Sequence, residues 1–277
     1  MTLKSTVCAN CDRAIDGPEQ KYCPNCGQRT PVSRIDWHFL VHEVPHSIFH
    51  VDGGILYTLA QLLTRPGHTI REYVQGQRIR HFKPLLLIVI LGAVVTLIAQ
   101  TISGHAGLFP VDAMTLTSGG AESLKPGTPE ARVVGNFRST LGWMNEHLAI
   151  TLIALLPFYA IAMRMAFRKF RAEYTYPEWL VMSCFLTAQA MVIYGIFLIL
   201  RQVSPLLASW DTVAIVVAQL LTLMQLFNGY PWWKTLLRTA LAYSYYGLMV
   251  MVLITVGALL LVGDGVGWDR LLIEIRN

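Results

Sequence analysis

Five stretches of the chain are apolar almost without interruption, and each approaches the ~20 residues a helix needs to cross a hydrocarbon core about 30 Å thick. They cover residues 84–102, 148–167, 178–200, 212–227 and 241–262, the fourth being the shortest. Soluble core helices rarely repeat such a pattern five times, so the expected fold is an all-α integral membrane protein of about five transmembrane helices. Pro84 stands in the first turn of the first span, where its missing N–H costs nothing.

Between the first two spans lies a long outer loop, residues 103–147. Its first half is rich in Gly, Ser, Thr and Pro. Its second half opens Thr128-Pro129-Glu130, an N-cap, a first-turn proline and an acid for the helix dipole. Apolar residues then recur at Val134, Phe137, Leu141, Met144 and Leu148, a helical stripe that continues into the second span or packs along the outer membrane face. Residues 263–277 form a short C-terminal tail.

Composition agrees with this pattern. The 277 residues are 54% hydrophobic and only 14% charged, against roughly 25% charged in an ordinary soluble domain. A disordered chain, a collagen-like fibre and a disulfide-rich secreted module are excluded. With the N-terminus placed in the cytosol, 16 of the 22 basic residues fall on the inner side and six on the outer, as the positive-inside rule requires. The C-terminus is then expected outside.

Ion-coupled carriers keep ionisable residues near the bilayer midplane, and none stands there. Glu178 and Asp211 mark span entrances and Arg164 lies near a span end. The polar residues inside the spans are uncharged. Gln189, Gln219 and Gln225 are the candidates for a polar seam, although glutamines more often serve as hydrogen-bonding glue between helices.

Four of the five cysteines form two pairs, Cys8-x-x-Cys11 and Cys23-x-x-Cys26, eleven residues apart, with Gly27 just past the last sulfur. Zinc takes four soft ligands in a tetrahedron, and two such knuckles supply them. Two disulfides would need an oxidising compartment, a redox Cys-x-x-Cys a larger βαβ domain, and an iron–sulfur site fits the ribbon pattern less well. Residues 1–30 are therefore expected to be a small zinc ribbon with one structural ion on Cys8, Cys11, Cys23 and Cys26. Such a site is closed to substrate and acts as a fold staple. Cys184, within an apolar run, is expected to be an inert buried thiol.

Residues 31–83 are expected to be cytosolic juxtamembrane amphipathic helices. Asp52 is placed to cap a helix through Leu63, ended by Arg65-Pro66-Gly67. Thr69-Ile70-Arg71-Glu72 has the capping-box spacing for a second helix. That helix would carry Arg71, Arg78, Arg80, His81 and Lys83 into the first span, either lying in the headgroup layer against anionic lipid or forming a solvated positive flank with no specific lipid. His38, His42, His46 and His50 recur every fourth residue. His42-Glu43-Val44-Pro45-His46 formally matches a zinc-protease pattern, but Pro45 disrupts the turn and no third ligand follows. Interfacial histidines are the expected reading, with a second metal site the sharper alternative.

Tyr22-Cys23-Pro24-Asn25-Cys26-Gly27-Gln28, Thr58 to Leu63, Arg65-Pro66-Gly67, Arg71-Glu72-Tyr73, Gly76-x-Arg78 and Pro84 stand in an order that resembles a bacterial family of unassigned function. Its members join an N-terminal zinc ribbon to a multi-pass membrane domain. The resemblance covers about residues 8–90 and implies a bacterial inner-membrane protein; it implies no reaction, substrate or catalytic residue. Phosphate-binding loops, nucleophile elbows and paired carboxylates are missing, so no catalytic or cofactor-binding residue is assigned. The leading expectation is a scaffold or accessory protein whose ribbon recruits a protein partner. The alternative is a transport or export component for a neutral or lipid-like substrate. Enzymatic use of the histidine stripe and tethering of nucleic acid rank behind both.

Overall fold

Helix dominates the computed structural model, which describes residues 2–3, 6–16, 20–40, 54–103, 129–204 and 210–263. A two-stranded antiparallel sheet pairs β1 (Thr2–Leu3) with β2 (Val32–Ser33), so the segment between them, with both cysteine pairs, closes on itself. Two short helices follow, α1 (Ile55–Thr64) and α2 (Pro66–Val74), then the long α3 (Pro84–Ser103). Farther along the chain come α4 (Pro129–Glu146), α5 (Leu148–Ala166), a 3-10 turn at Arg168–Phe170, α6 (Tyr176–Val203), α7 (Asp211–Leu226) and α8 (Trp232–Gly263).

Among the described residues four helices are long and apolar enough to cross a membrane: Pro84–Ile102, Leu148–Ala166, Tyr176–Val203 and Trp232–Gly257. They overlap the expected first, second, third and fifth spans. The fifth begins nine residues earlier than expected, at Trp232. The remaining stretch, 212–227, folds as the 16-residue α7, about 24 Å long at 1.5 Å per residue and so short of a full hydrocarbon core.

α6 is the hub. Trp179, Cys184, Phe185, Leu186, Ala188 and Leu198 are fully buried, and α3, α5 and α7 all pack on it. By contrast α8 exposes one side of its length, including Leu248, Met251 and Val252. α4 lies along α8, and Leu141 and Met144 meet Leu155 and Ile254 in a small second core. The stripe anticipated from Val134 to Leu148 is thus buried along Leu141, Met144 and Leu148.

The juxtamembrane segment departs from expectation. The second short helix starts at Pro66, directly after Arg65, and Thr69 lies inside it with its hydroxyl donating to Arg65 O at 3.1 Å. A proline fits the first turn without losing a hydrogen bond, so the helix restarts there and not at the Thr69 capping box. It ends at Val74. Gly76 follows with φ +107°, and Val32 Cγ1 fills the space a side chain would need. No single basic helix therefore runs from Thr69 to Lys83: Arg71 is helical, and Arg78, Arg80, His81 and Lys83 lie in the non-helical stretch before Pro84. Gly54 is the N-cap of α1. Asp52 lies outside the described residues, as do His42, His46, His50 and the C-terminal tail; His38 is exposed.

Candidate metal centre

The two cysteine pairs fold into matching turns. In the first, Cys8 N donates to Arg13 O at 2.8 Å and Asp12 N to Cys8 O at 3.0 Å. In the second, Cys23 N donates to Gln28 O at 2.8 Å and Gly27 N to Cys23 O at 2.9 Å. The residue after each second cysteine has positive φ, 56° at Asp12 and 75° at Gly27, a conformation open to glycine and tolerated by aspartate. Isolated bridges close both turns at equivalent places, Val7 with Ala14 and Tyr22 with Arg29.

This local two-fold repeat brings four sulfurs together. All four Sγ atoms lie within 4.8 Å of one another, and Cys8–Cys26 and Cys11–Cys23 are each 3.6 Å apart. None is in a disulfide. A tetrahedral thiolate site with 2.3 Å metal–sulfur bonds needs sulfurs about 3.8 Å apart, so the donor set and its size fit a soft divalent ion. Environments differ within the cluster. The Asn25 side chain and the backbone near Arg13 stabilise the Cys11 thiolate and lower its pKa to about 6. Burial pushes Cys8 up to about 12. A bound cation would remove that difference by drawing all four into the thiolate form.

The module is clamped to the helices by groups on both flanks. The buried Gln28 side chain accepts hydrogen bonds through Oε1 from the amides of Arg78 and Ile79, at 3.2 and 3.1 Å. Arg78 in turn donates to Ser33 O at 3.1 Å and lies over the Phe39 ring. Arg34 Nε and Nη2 donate to the two carboxylate oxygens of Glu178 at 2.7 and 2.9 Å, a bidentate pair, and Nη2 also reaches Glu173 O. Glu178 first closes its own helix, accepting from Thr175 N at 2.7 Å. Thr175 Oγ1 donates to Ile35 O at 3.2 Å, and Ile35 is fully buried. The Glu178 hydrogen bonds raise the Arg34 pKa further above its ordinary value.

Gln28 and Arg34 carried no sequence signal for this role, since their partners lie about 50 and 144 residues away. Only Glu178 was readable, three residues after Thr175 in the spacing that returns a carboxylate to a helix start.

The three glutamines of the candidate seam are spent on helix-to-helix hydrogen bonds. Gln219 Nε2 donates to Leu186 O at 3.1 Å, and its Oε1 accepts from Tyr159 at 2.8 Å and from Tyr243. Gln189 Nε2 donates to Leu62 O at 3.1 Å, and its Oε1 accepts from Thr222 at 2.9 Å. Gln225 Oε1 accepts from Gly67 N at 3.1 Å. Cys184 is fully buried in α6, as its apolar surroundings indicated.

A family model described as "Protein of unknown function (DUF3667)" matches residues 52–96, which take in α1, α2 and the first thirteen residues of α3. No curated protein and no solved structure matches the chain. The similarity to that uncharacterised family, the cysteine cluster and the four long apolar helices describe a helical membrane protein with a candidate metal centre at one end.

Proposed function

We propose that this chain is a scaffold of the bacterial inner membrane, in which a zinc ribbon clamped to the cytosolic face of the helices recruits a protein partner. The clamp carries the reading. A ribbon on a free tether would only raise local concentration, whereas one tied down through Gln28 and through Arg34 to Glu178 presents a fixed surface relative to the bilayer. Four thiolates at tetrahedral spacing favour zinc, and a cytosolic location keeps them reduced. The 16-to-6 distribution of basic residues supports that orientation. The metal staples the fold; Cys8, Cys11, Cys23 and Cys26 leave no open position on it.

The presented surface has an apolar element. Val7 and Tyr22, the residues before the first cysteine of each turn, are 43% and 61% exposed. Aromatic residues at such positions are the usual anchors of protein interfaces. Transport of a neutral or lipid-like substrate is the second reading; the hydrogen bonds of Gln189, Gln219 and Gln225 to neighbouring helices favour the scaffold over it.

A photo-reactive residue at position 22, in the full chain in native membranes, tests the reading. One protein adduct of defined mass is expected, and it should disappear with Val7→Asp while one zinc per chain is retained. The scaffold reading fails if the zinc-loaded, inserted chain gives no protein adduct. It fails equally if the adduct is unchanged by Val7→Asp.

A further inference from the structure

The hairpin of α1 and α2 sits deeper than a surface helix pair. α3 and α6 both start at the end of the bundle that carries the cysteine module: the stretch before Pro84 bonds to Gln28, and Thr175, before α6, bonds to Ile35. The two helices therefore run in the same direction. A Cβ on Gly195 would stand 3.4 Å from Val95 Cγ2, so those two residues are level. Eleven residues earlier in each helix, Pro84 is level with Cys184. Gln189 lies five residues farther on, about 7 Å deeper along the axis, and its side chain holds the carbonyl of Leu62. The tip of the hairpin thus passes the level at which the first span begins.

The backbone groups that bracket its tip are satisfied by protein, while the His68 side chain stays exposed. Leu62 O is taken by Gln189 and Gly67 N by Gln225 Oε1, while Arg65 N donates to Gln61 O at 2.9 Å and Thr69 N to Arg65 O at 3.1 Å. The Thr64 hydroxyl returns to Ala60 O at 2.8 Å. Gly67 presses against α7 so closely that a Cβ would lie 2.5 Å from Thr222 O. Arg71 donates to Leu226 O at 2.6 Å, capping that helix. Arg65 folds back onto Gln61 and Glu72, the latter at 3.5 Å, so its charge is paired although the side chain stays 49% exposed. Backbone at membrane depth is tolerated only when its polar groups are met in this way.

The outward face of α1 is also suited to lipid. Leu56, Ala60, Leu63 and Thr64 are its exposed residues and share one side of the helix, with no charge among them. Leu56 is 79% exposed and Leu63 48%. α3 likewise exposes apolar residues, at Val89, Val94 and Leu97.

We infer that residues 55–74 form a re-entrant helical hairpin that enters the bilayer from the side of the cysteine module, with α1 facing the acyl chains. Depth, satisfied backbone groups at the tip and an uncharged outer face converge on the hydrocarbon interior as its environment. The inference is independent of the scaffold reading.

Nitroxide labels test it in the intact, metal-loaded chain in phospholipid vesicles, at Leu56→Cys and Leu63→Cys, with the unsubstituted chain measuring uptake by native cysteines. Leu97→Cys is the lipid-facing reference and Gln75→Cys the aqueous one. At Leu63 oxygen accessibility should match Leu97, with nickel-chelate accessibility several-fold below Gln75. Leu56, nearer the boundary, should fall between the references. Nickel accessibility at Leu63 equal to that at Gln75 overturns the insertion. Exclusion of both relaxants overturns it too, since the face would then be covered by protein.

Discussion

Arg34 and Glu178 are 144 residues apart in sequence, yet the guanidinium of one donates two hydrogen bonds, of 2.7 and 2.9 Å, to the carboxylate of the other. Glu178 is almost fully buried, at 3% side-chain exposure, while Arg34 stays 41% exposed. Arg34→Ala strands the buried carboxylate. Breaking a fully buried pair costs about 3–5 kcal/mol, and the exposure of Arg34 reduces the expected loss to about 1–3 kcal/mol. Arg34→Lys, which keeps charge but not the bidentate fork, should recover part of it. Hydrogen exchange at residues 32–36 should rise in Arg34→Ala while α6 remains protected; unchanged exchange would remove the clamp.

Gly67 meets α7 at backbone distance, 2.5 Å from a would-be Cβ to both Thr222 O and Leu226 N. Neither atom belongs to a flexible side chain. Gly67→Ala should therefore destabilise by about 1–3 kcal/mol or more, the range for forced overpacking, and should also weaken the Arg71 cap on Leu226 O. A lowered Tm in detergent measures the cost. A neutral result would mean that α2 does not dock where it lies here.

The two cysteine turns provide an internal comparison. At Gly27, φ is +75° with nothing near a would-be side chain, and at Asp12 φ is +56°. Gly27→Ala should cost about 1–2 kcal/mol, through backbone conformation alone. Asp12→Gly should relieve the same strain and hold metal at least as firmly. Metal release to a chelator should quicken in Gly27→Ala and not in Asp12→Gly; equal effects would sink the proposed equivalence of the turns.

His81 is buried against the rings of Tyr57 and Tyr73, and its Nδ1 has no hydrogen-bond partner. Burial lowers its pKa from the usual value; Glu72, at 3.6 Å from Nε2, opposes the shift, and Arg65 and Arg80 add to it. The unfolded chain therefore binds the proton more readily than the folded one. Stability is full above the unfolded value of about 6.5 and declines as pH falls below it. Amides of residues 76–83 should exchange faster on acidification from about pH 7.5 to 5.5. His81→Gln should flatten that dependence, and a persistent slope would assign it to another group.

Much of this molecule was legible locally. Apolar runs from Pro84, Leu148 and Glu178 are long enough to declare their helices, because length and hydrophobicity together set whether a segment can cross lipid. The cysteine spacing likewise announced one cluster, since each Cys-x-x-Cys turn is built from neighbouring residues. Thr69 misled for a physical reason: its capping spacing is real, but Pro66 nucleates the helix one turn earlier.

The tertiary structure alone decided how these parts engage. Gln28 on the Arg78 and Ile79 amides, Arg34 on Glu178, and Gly67 against Thr222 and Gln225 all join residues remote in sequence, and the choice among many polar side chains depends on helix rotation and depth. Local pattern determines which segments are helices and which cysteines share a turn, because those interactions close within a few residues. Which glutamine finds a carbonyl, and which glycine lets two helices touch, is set only when the packed chain brings their partners within 3 Å or so.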